Sequence, residues 1–264
     1  MGTEGFFVGI INFIINFYIF LFFIRMFMTT RERYDSILGM VYRATDPVLG
    51  YIGSSMRFNQ VNFAPLLVIV LLLILKGLLF QSLPGAFQGF FSFLFQVYAL
   101  TLIIIMTYQE YFVNPIINFA QRLVNPIRAI AVNFSNSLLA VNIISLVIVI
   151  LLHTLIFFVL KNPIGGEAAY SLKISLRTSL FLILELTQFF IYIIVINALL
   201  SWVSPDPMNP LVQLLSLLSA PIVDPFRRFI PPLAGMLDLS PIAAIVALSI
   251  TQGIGVGILN LIFV

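Results

Sequence analysis

The 264-residue chain contains no cysteine and only one histidine and one tryptophan, and charged residues make up just 9% of it. Without a thiol there is no thiolate metal site, no cysteine nucleophile and no disulfide staple. An ordinary soluble domain is about 25% charged, so the shortage of charge excludes a water-soluble enzyme, a nucleic-acid module and a disordered scaffold. No HExxH, GxSxG, phosphate-loop or haem-attachment motif occurs. No enzymatic activity, cofactor or metal is therefore expected. What the chain has instead is apolar mass: 61% hydrophobic residues, 27 of them Phe, and a mean hydropathy of +1.12. Thirteen basic residues against ten acidic ones leave a net charge of +3. In a membrane protein so small an excess speaks to orientation before it speaks to partners.

A helix needs about 20 apolar residues to cross the hydrocarbon core. Six stretches meet that length: Phe6–Met28, Asn62–Ser82, Phe87–Phe112, Asn142–Leu160, Arg177–Val203 and Pro241–Val264. The first is too long for a signal peptide and no small-residue cleavage site follows it, so it reads as a retained span. No extramembrane domain is expected. The segments after spans one, three and five carry nine arginines: Arg25, Arg31, Arg33, Arg43, Arg57, Arg122, Arg128, Arg227 and Arg228. The other side holds at most Lys76, Lys161, Lys173 and Arg177. This asymmetry places the arginine-bearing segments in the cytoplasm and both termini on the opposite side.

Those three segments resemble one another. NPIINFAQRLVNP from Asn114 and NPLVQLLSLLSAP from Asn209 each set two prolines eleven residues apart around an apolar run. DSILGMVYRATDP from Asp35 keeps the spacing, with Ser36 in place of the first proline. Downstream, VNFAP from Val61, VNIIS from Val141 and LDLSP from Leu237 each open the next span. Asn or Asp before Pro is a helix cap followed by a first-turn residue that needs no N–H partner. The second proline disfavours continuation, so each run is expected to last about three turns. In the first copy Tyr34, Ile37, Leu38 and Val41 share a face, which predicts a helix lying along the headgroup boundary. Asn62, Asn142 and Asp238 are the expected caps of the re-entering helices. The chain thus reads as three units, 1–84, 85–164 (degenerate) and 165–264, each a span, an interfacial segment and a span. Three units of one orientation are compatible with packing about a pseudo-threefold axis, and equally with a linear bundle.

The stretch from Ser201 to Pro241, SWVSPDPMNP…SAPIVDPFRRFIPPLAGMLDLSP, resembles the signature of the YggT (YlmG) family of integral membrane proteins. The matching positions include Trp202, Asn209, Pro210, Pro221, Pro225, Arg227, Arg228, Pro231, Pro232, Gly235, Asp238 and Pro241. The first unit matches more loosely, through Arg25, Asp46, Pro47, Asn62 and Pro65, and the middle one keeps Asn114, Pro115, Pro126 and Arg128. Members of that family commonly carry one or two units, so a third is a departure. The resemblance implies a small protein of the bacterial inner membrane without an established enzymatic activity. Roles linked to the family are cytochrome assembly in plastids, cell division or membrane organisation, and tolerance of osmotic stress.

Ionisable groups within a bilayer are costly and point to function. Lys76, His153 and Glu185 lie in the second, fourth and fifth spans. At about 1.5 Å per residue they sit roughly 21, 16 and 25 Å from Asn62, Asn142 and Trp202. They are candidates for a polar cluster, with Gln188 and Gln252, that binds an ion or relays protons. The plainer reading has Lys76 snorkelling outward, Glu185 answered by Arg177 two turns away, and His153 bonded between helices. Arg227, Arg228 and Arg128 are candidates for binding lipid headgroups or a partner; the plainer alternative is that they fix the hairpin and its orientation. Trp202 reads as an interface anchor, and Gly253, Gly255 and Gly257 as small residues for close helix packing.

Together these readings predict an all-α integral membrane protein of six transmembrane helices. The expected function is a non-enzymatic assembly or scaffold protein of the bacterial cytoplasmic membrane. Its expected partners are membrane lipids and a membrane protein or a second copy of itself, with no nucleic acid. The alternative is an ion channel or transporter built on the intramembrane polar residues.

Overall fold

In hydrocarbon no water pairs the backbone amides, so a membrane-embedded chain this apolar must satisfy them within helices. The computed structural model describes residues 3–35, 38–52, 57–58, 61–80, 82–107, 115–161, 168–203, 206, 208–230 and 238–263. Nine α-helices occur among them, with one 3-10 turn and one two-residue ladder. Two units divide the chain, Met1–Phe90 and Phe91–Val264.

In the first unit α1 (Thr3–Phe27) packs on α3 (Ala64–Leu79), with α2 (Leu38–Ile52) set against the end of α1. Thr29 turns the chain out of α1. Its N–H donates to the Glu32 carboxylate at 2.7 Å and opens the 3-10 turn Thr30–Tyr34. Asp35 then caps α2, its Oδ1 accepting from the Leu38 N–H at 2.9 Å. Strands β1 (Arg57–Phe58) and β2 (Val61–Asn62) pair antiparallel, Arg57 with Asn62 and Phe58 with Val61. Ile19, Phe22, Phe23, Ile69 and Leu73 are buried in this unit.

In the second unit α7 (Ala168–Val203) is the central element. It packs on α6 (Leu138–Lys161), α8 (Pro210–Phe229) and α9 (Ser240–Ile262), while α5 (Pro115–Ala131) lies on α6 and α8. The division between the units falls inside α4 (Leu83–Thr107). Phe95, Leu102, Ile105, Val124 and Val149 form one buried cluster, and Ile194, Val223 and Ala244 join α7, α8 and α9 in another. At Gly255 a side chain would begin 2.8 Å from Leu184 Cδ2, so its absence lets α9 approach α7. Hydroxyls are settled locally: Thr101, Ser145, Thr154, Ser175, Ser179 and Ser249 each donate to the carbonyl four residues back.

The fold differs from the sequence reading in three ways. Among the described residues five helices, where the sequence suggests six spans, are long and apolar enough to cross a membrane: residues 7–27, 83–106, 138–160, 168–201 and 240–262. The sixth apolar segment, α3, has 16 residues, about 24 Å. Second, helix starts are displaced. Helix α4 begins at Leu83, where the Ser82 carbonyl and hydroxyl accept from Ala86 and Gly85, a signal that a count of apolar residues passes over. Helix α6 begins at Leu138, so Asn142 is an interior residue and not the cap. Its side chain is buried and its Oδ1 has no partner. Third, the second prolines do not stop their helices. Pro47, Pro126 and Pro221 lie inside α2, α5 and α8, as does Pro225. All four prolines are themselves exposed, and each leaves the carbonyl four residues back without its helical donor.

Gly39 shows how tightly the first hairpin closes, because a Cβ there would lie 2.7 Å from the Arg33 carbonyl oxygen. The obstacle is backbone, which cannot swing aside. Gly39→Ala should therefore destabilise the detergent-purified protein by about 1–3 kcal/mol despite the better helix propensity of alanine. A fall in melting temperature measures it.

Candidate functional site

The strongest candidate is built where α8 meets α9. Helix α8 starts as the Asn-Pro spacing predicts, with Asn209 Oδ1 accepting from the Leu211 N–H at 2.9 Å and Pro210 in the first turn. Its last turn presents Arg227 between two carboxylates. Nη1 reaches Asp224 Oδ1 at 2.9 Å and Nε reaches Asp238 Oδ2 at 3.0 Å. Asp238 Oδ1 accepts the Ser240 N–H at 2.9 Å, so one carboxylate ties the end of α8 to the start of α9. Partial burial pushes the Asp238 carboxyl up, but the bonds from Ser240 and the charge of Arg227 outweigh it. The net effect holds the carboxyl below its usual range.

Beside this node α7, α8 and α9 enclose a cleft of about 560 Å³, with Arg227 and Asp238 in its lining. The other polar part of the cleft is an amide–hydroxyl link. Asn197 on α7 donates from Nδ2 to Ser219 Oγ at 2.7 Å, and Ser216 Oγ donates to Asn197 Oδ1 at 3.2 Å. Arg228 and Phe229 lie exposed at the end of α8.

The first unit carries a related node. Arg25, in the last turn of α1, lies 3.6 Å over the Tyr42 ring and 3.4 Å from Asp46 Oδ1. Arg33 approaches Asp46 Oδ2 at 3.2 Å, and Tyr42 donates its hydroxyl to the Thr29 carbonyl at 2.6 Å. Asp46 immediately precedes Pro47 as Asp224 precedes Pro225. In both units an Asp-Pro step on the hairpin helix supplies a carboxylate to an arginine.

The remaining sequence-predicted residues have distinct surroundings. Arg128 is half-buried on α5, with no hydrogen-bond partner at its Nε. Lys76 belongs to the first unit, is buried, and donates to Asn16 Oδ1 of α1 at 2.8 Å. His153 and Glu185 belong to the second. His153 is buried, with Nδ1 2.7 Å from Ser179 Oγ, Nε2 3.3 Å from Ser92 Oγ, and the rings of Phe95 and Phe157 centred 4.5 and 5.3 Å from its own. Glu185 is exposed and accepts from Gln96 Nε2 at 3.1 Å. Ser92 and Gln96, one turn apart on α4, thus serve the two groups in turn. Arg177 pairs with Asn260 at 2.7 Å instead of with Glu185. Asn62 sits in β2, two residues before α3, whose cap position is Phe63. The side chains of Asn62 and Trp202, and residues Asn114, Pro231, Pro232 and Gly235, lie outside the described residues. Among the described residues no three His, Asp or Glu side chains gather as a metal site. Tyr42, Asn197, Ser219 and Gln96 were not singled out by the sequence. An Asn or Gln in an apolar span is the only signal that marks the two amides.

Helices of this length and composition, with their polar groups answered by neighbouring helices, define a multi-pass helical membrane protein. The sequence model of the CCB3/YggT family matches residues 5–83 and 176–259, more than half of the chain and twice over, as a repeat requires. The chain belongs to that family. An uncharacterized protein of Pseudomonas aeruginosa is 34% identical over 149 residues, 53% of this chain and 71% of that relative. An uncharacterized protein in the proC 3′ region of Vibrio alginolyticus is 28% identical over 164 residues, 60% of this chain and 86% of that relative. No solved structure matches.

Two outcomes test this geometry. The depressed Asp238 carboxyl stabilises the fold fully above the unfolded value near pH 3.9, and the contribution is lost as pH falls through the lower folded value. Asp238→Ala should cost about 1–2 kcal/mol at pH 7, and the gap in melting temperature from wild type should narrow at pH 3. His153→Ala should cost about 2–4 kcal/mol through lost packing between the phenylalanines, read as a lower melting temperature at neutral pH.

Proposed function

We propose that the protein is a non-enzymatic assembly or scaffold protein of the bacterial cytoplasmic membrane. Its proline-bearing helices α2, α5 and α8 lie at the cytoplasmic face as amphipathic segments and engage anionic lipid headgroups or an adjoining membrane protein. The observation that carries this reading is the arginine cradle at the end of α8. Arg227 is fixed between Asp224 and Asp238, and Arg228 and Phe229 are left exposed beside it. A fixed guanidinium holds the hairpin in shape, while an exposed arginine next to an exposed aromatic ring suits the boundary of headgroup and acyl chain. The excess of arginine on this side supports a cytoplasmic location for it, with both termini opposite. The Arg25–Asp46–Arg33 node repeats the arrangement in the first unit. The middle segment, with Arg128, is the degenerate third copy in this reading.

Each basic group near an anionic surface contributes about 1 kcal/mol. Neutralising both residues in Arg227→Ala/Arg228→Ala should therefore weaken retention of anionic lipid by roughly thirtyfold. Native mass spectrometry of the protein released from nanodiscs of mixed anionic and zwitterionic lipid measures it. The same variant should lose a membrane protein that accompanies the tagged wild type through mild detergent. Unchanged lipid retention and unchanged co-purification would defeat the reading. Ion flux in proteoliposomes that depends on Glu185 or Lys76 would replace it with a channel or transporter.

A further inference from the structure

Among the described residues Glu185 is the one acidic residue within the five long apolar spans and α3. It occupies the middle of α7, with 17 residues of that helix before it and 18 after it. The nearest basic residue on the helix, Arg177, is two turns away, roughly 12 Å, and is committed to Asn260. A charge at this depth is costly unless an opposite charge meets it.

The surroundings of Glu185 are polar in a particular way. Helices α4, α7 and α9 border a groove of about 490 Å³ whose lining includes Glu185, Gln96, Gln188, Gln252 and Tyr192. Gln188 follows Glu185 by three residues and so shares its helix face. Gln96 comes from α4 and Gln252 from α9, so three helices bring carboxamides to one carboxylate. Among the described residues no Lys, Arg or His lines the groove. Gln96 donates to Glu185 from Nε2 at 3.1 Å, and a half-turn of that carboxamide would present its Oε1 instead.

These donors are all hard oxygens, and they carry a single formal negative charge. Hard oxygen ligands suit alkali and alkaline-earth ions and protons rather than soft metals. Divalent sites gather several carboxylates, whereas one carboxylate balances one positive charge and leaves a neutral assembly in a low-dielectric setting. We propose that the α4–α7–α9 groove is a binding site for a monovalent cation, with Glu185 as the charged ligand and the carboxamides of Gln96, Gln188 and Gln252 as neutral ones. A proton and an alkali ion share this chemistry. The site is independent of the arginine cradle and of the scaffold reading built on it.

The test is labelling of the full chain in nanodiscs by dicyclohexylcarbodiimide, an apolar reagent that attacks protonated carboxyl groups. Peptide mass spectrometry locates the adduct, and Glu185→Gln, which should carry none at this position, checks the assignment. Wild type should be modified at Glu185, less so as pH rises. If an alkali ion is the ligand, sodium or potassium chloride should protect against the reagent relative to N-methylglucamine chloride at equal ionic strength. Gln252→Ala should then raise the protecting concentration about tenfold. If the proton is the ligand, alkali ions should give no protection, and Gln252→Ala should instead displace the pH profile. No adduct on Glu185, or a profile that neither alkali ions nor Gln252→Ala moves, would overturn the proposal.

Discussion

Hydrocarbon offers no partner to a polar group, and most of this structure follows from that constraint. It forces the backbone into helices whose amides pair internally, and it decides what each polar side chain must do. The serine and threonine hydroxyls turn back onto their own helices, as Ser145 does onto Val141 and Ser179 onto Ser175. Lys76 finds Asn16 on another helix, and Arg177 finds Asn260. The same constraint shapes the connections. A turn between helices exposes orphan amides and carbonyls, and the capping side chains of Asp35, Asn209 and Asp238 take up part of them.

The hairpin helices relax the constraint on one side. Pro47, Pro126, Pro221 and Pro225 each remove an amide from the ladder, which in a buried helix interior costs about 3 kcal/mol. All four prolines are exposed, and the helices run on through them. Position and composition are linked here, because helices that tolerate these prolines suit the edge of the membrane better than its centre. In the interfacial placement proposed for these helices, arginine finds apolar surface for its stem and water for its head. The Asp-Pro steps at 46–47 and 224–225 then give those arginines fixed counter-charges.

Much of the fold was legible because its signals are local. Apolar runs located the long helices, and the Asn-Pro pair at 209–210 marked the start of α8. Asp238 was legible in part: its carboxylate accepts the Ser240 N–H and is shared by Arg227, but the cap position of α9 is Leu239. The Asn142 start was not, since a helix in an apolar run can begin a turn earlier at no cost, and Ser137 supplies the first accepting carbonyl there. The through-running prolines were missed because sequence alone does not say which helix face is exposed. Pairings such as Asn197–Ser219, Arg25–Tyr42 and Gln96–Glu185 depend on helix rotation, and helices that are apolar all round carry little periodicity from which rotation can be read. Family likeness is found at 5–83 and at 176–259, the two stretches whose motifs the sequence carries most fully.

The intramembrane groups that the sequence set side by side, Lys76, His153 and Glu185, are of two physical kinds. Lys76 and His153 are closed: each is buried, and each is met by a side chain from another helix, so the structure spends them on holding helices together. His153 in particular has both ring nitrogens engaged and two phenylalanine rings packed against it. Glu185 is open. It accepts one bond from a neutral carboxamide and faces a groove with no basic residue in its lining among the described residues. Removing a closed group therefore acts on stability, whereas removing an open one acts on what the groove can hold. Burial, more than polarity, separates these groups: Lys76 and His153 are sealed between helices, and Glu185 faces a groove.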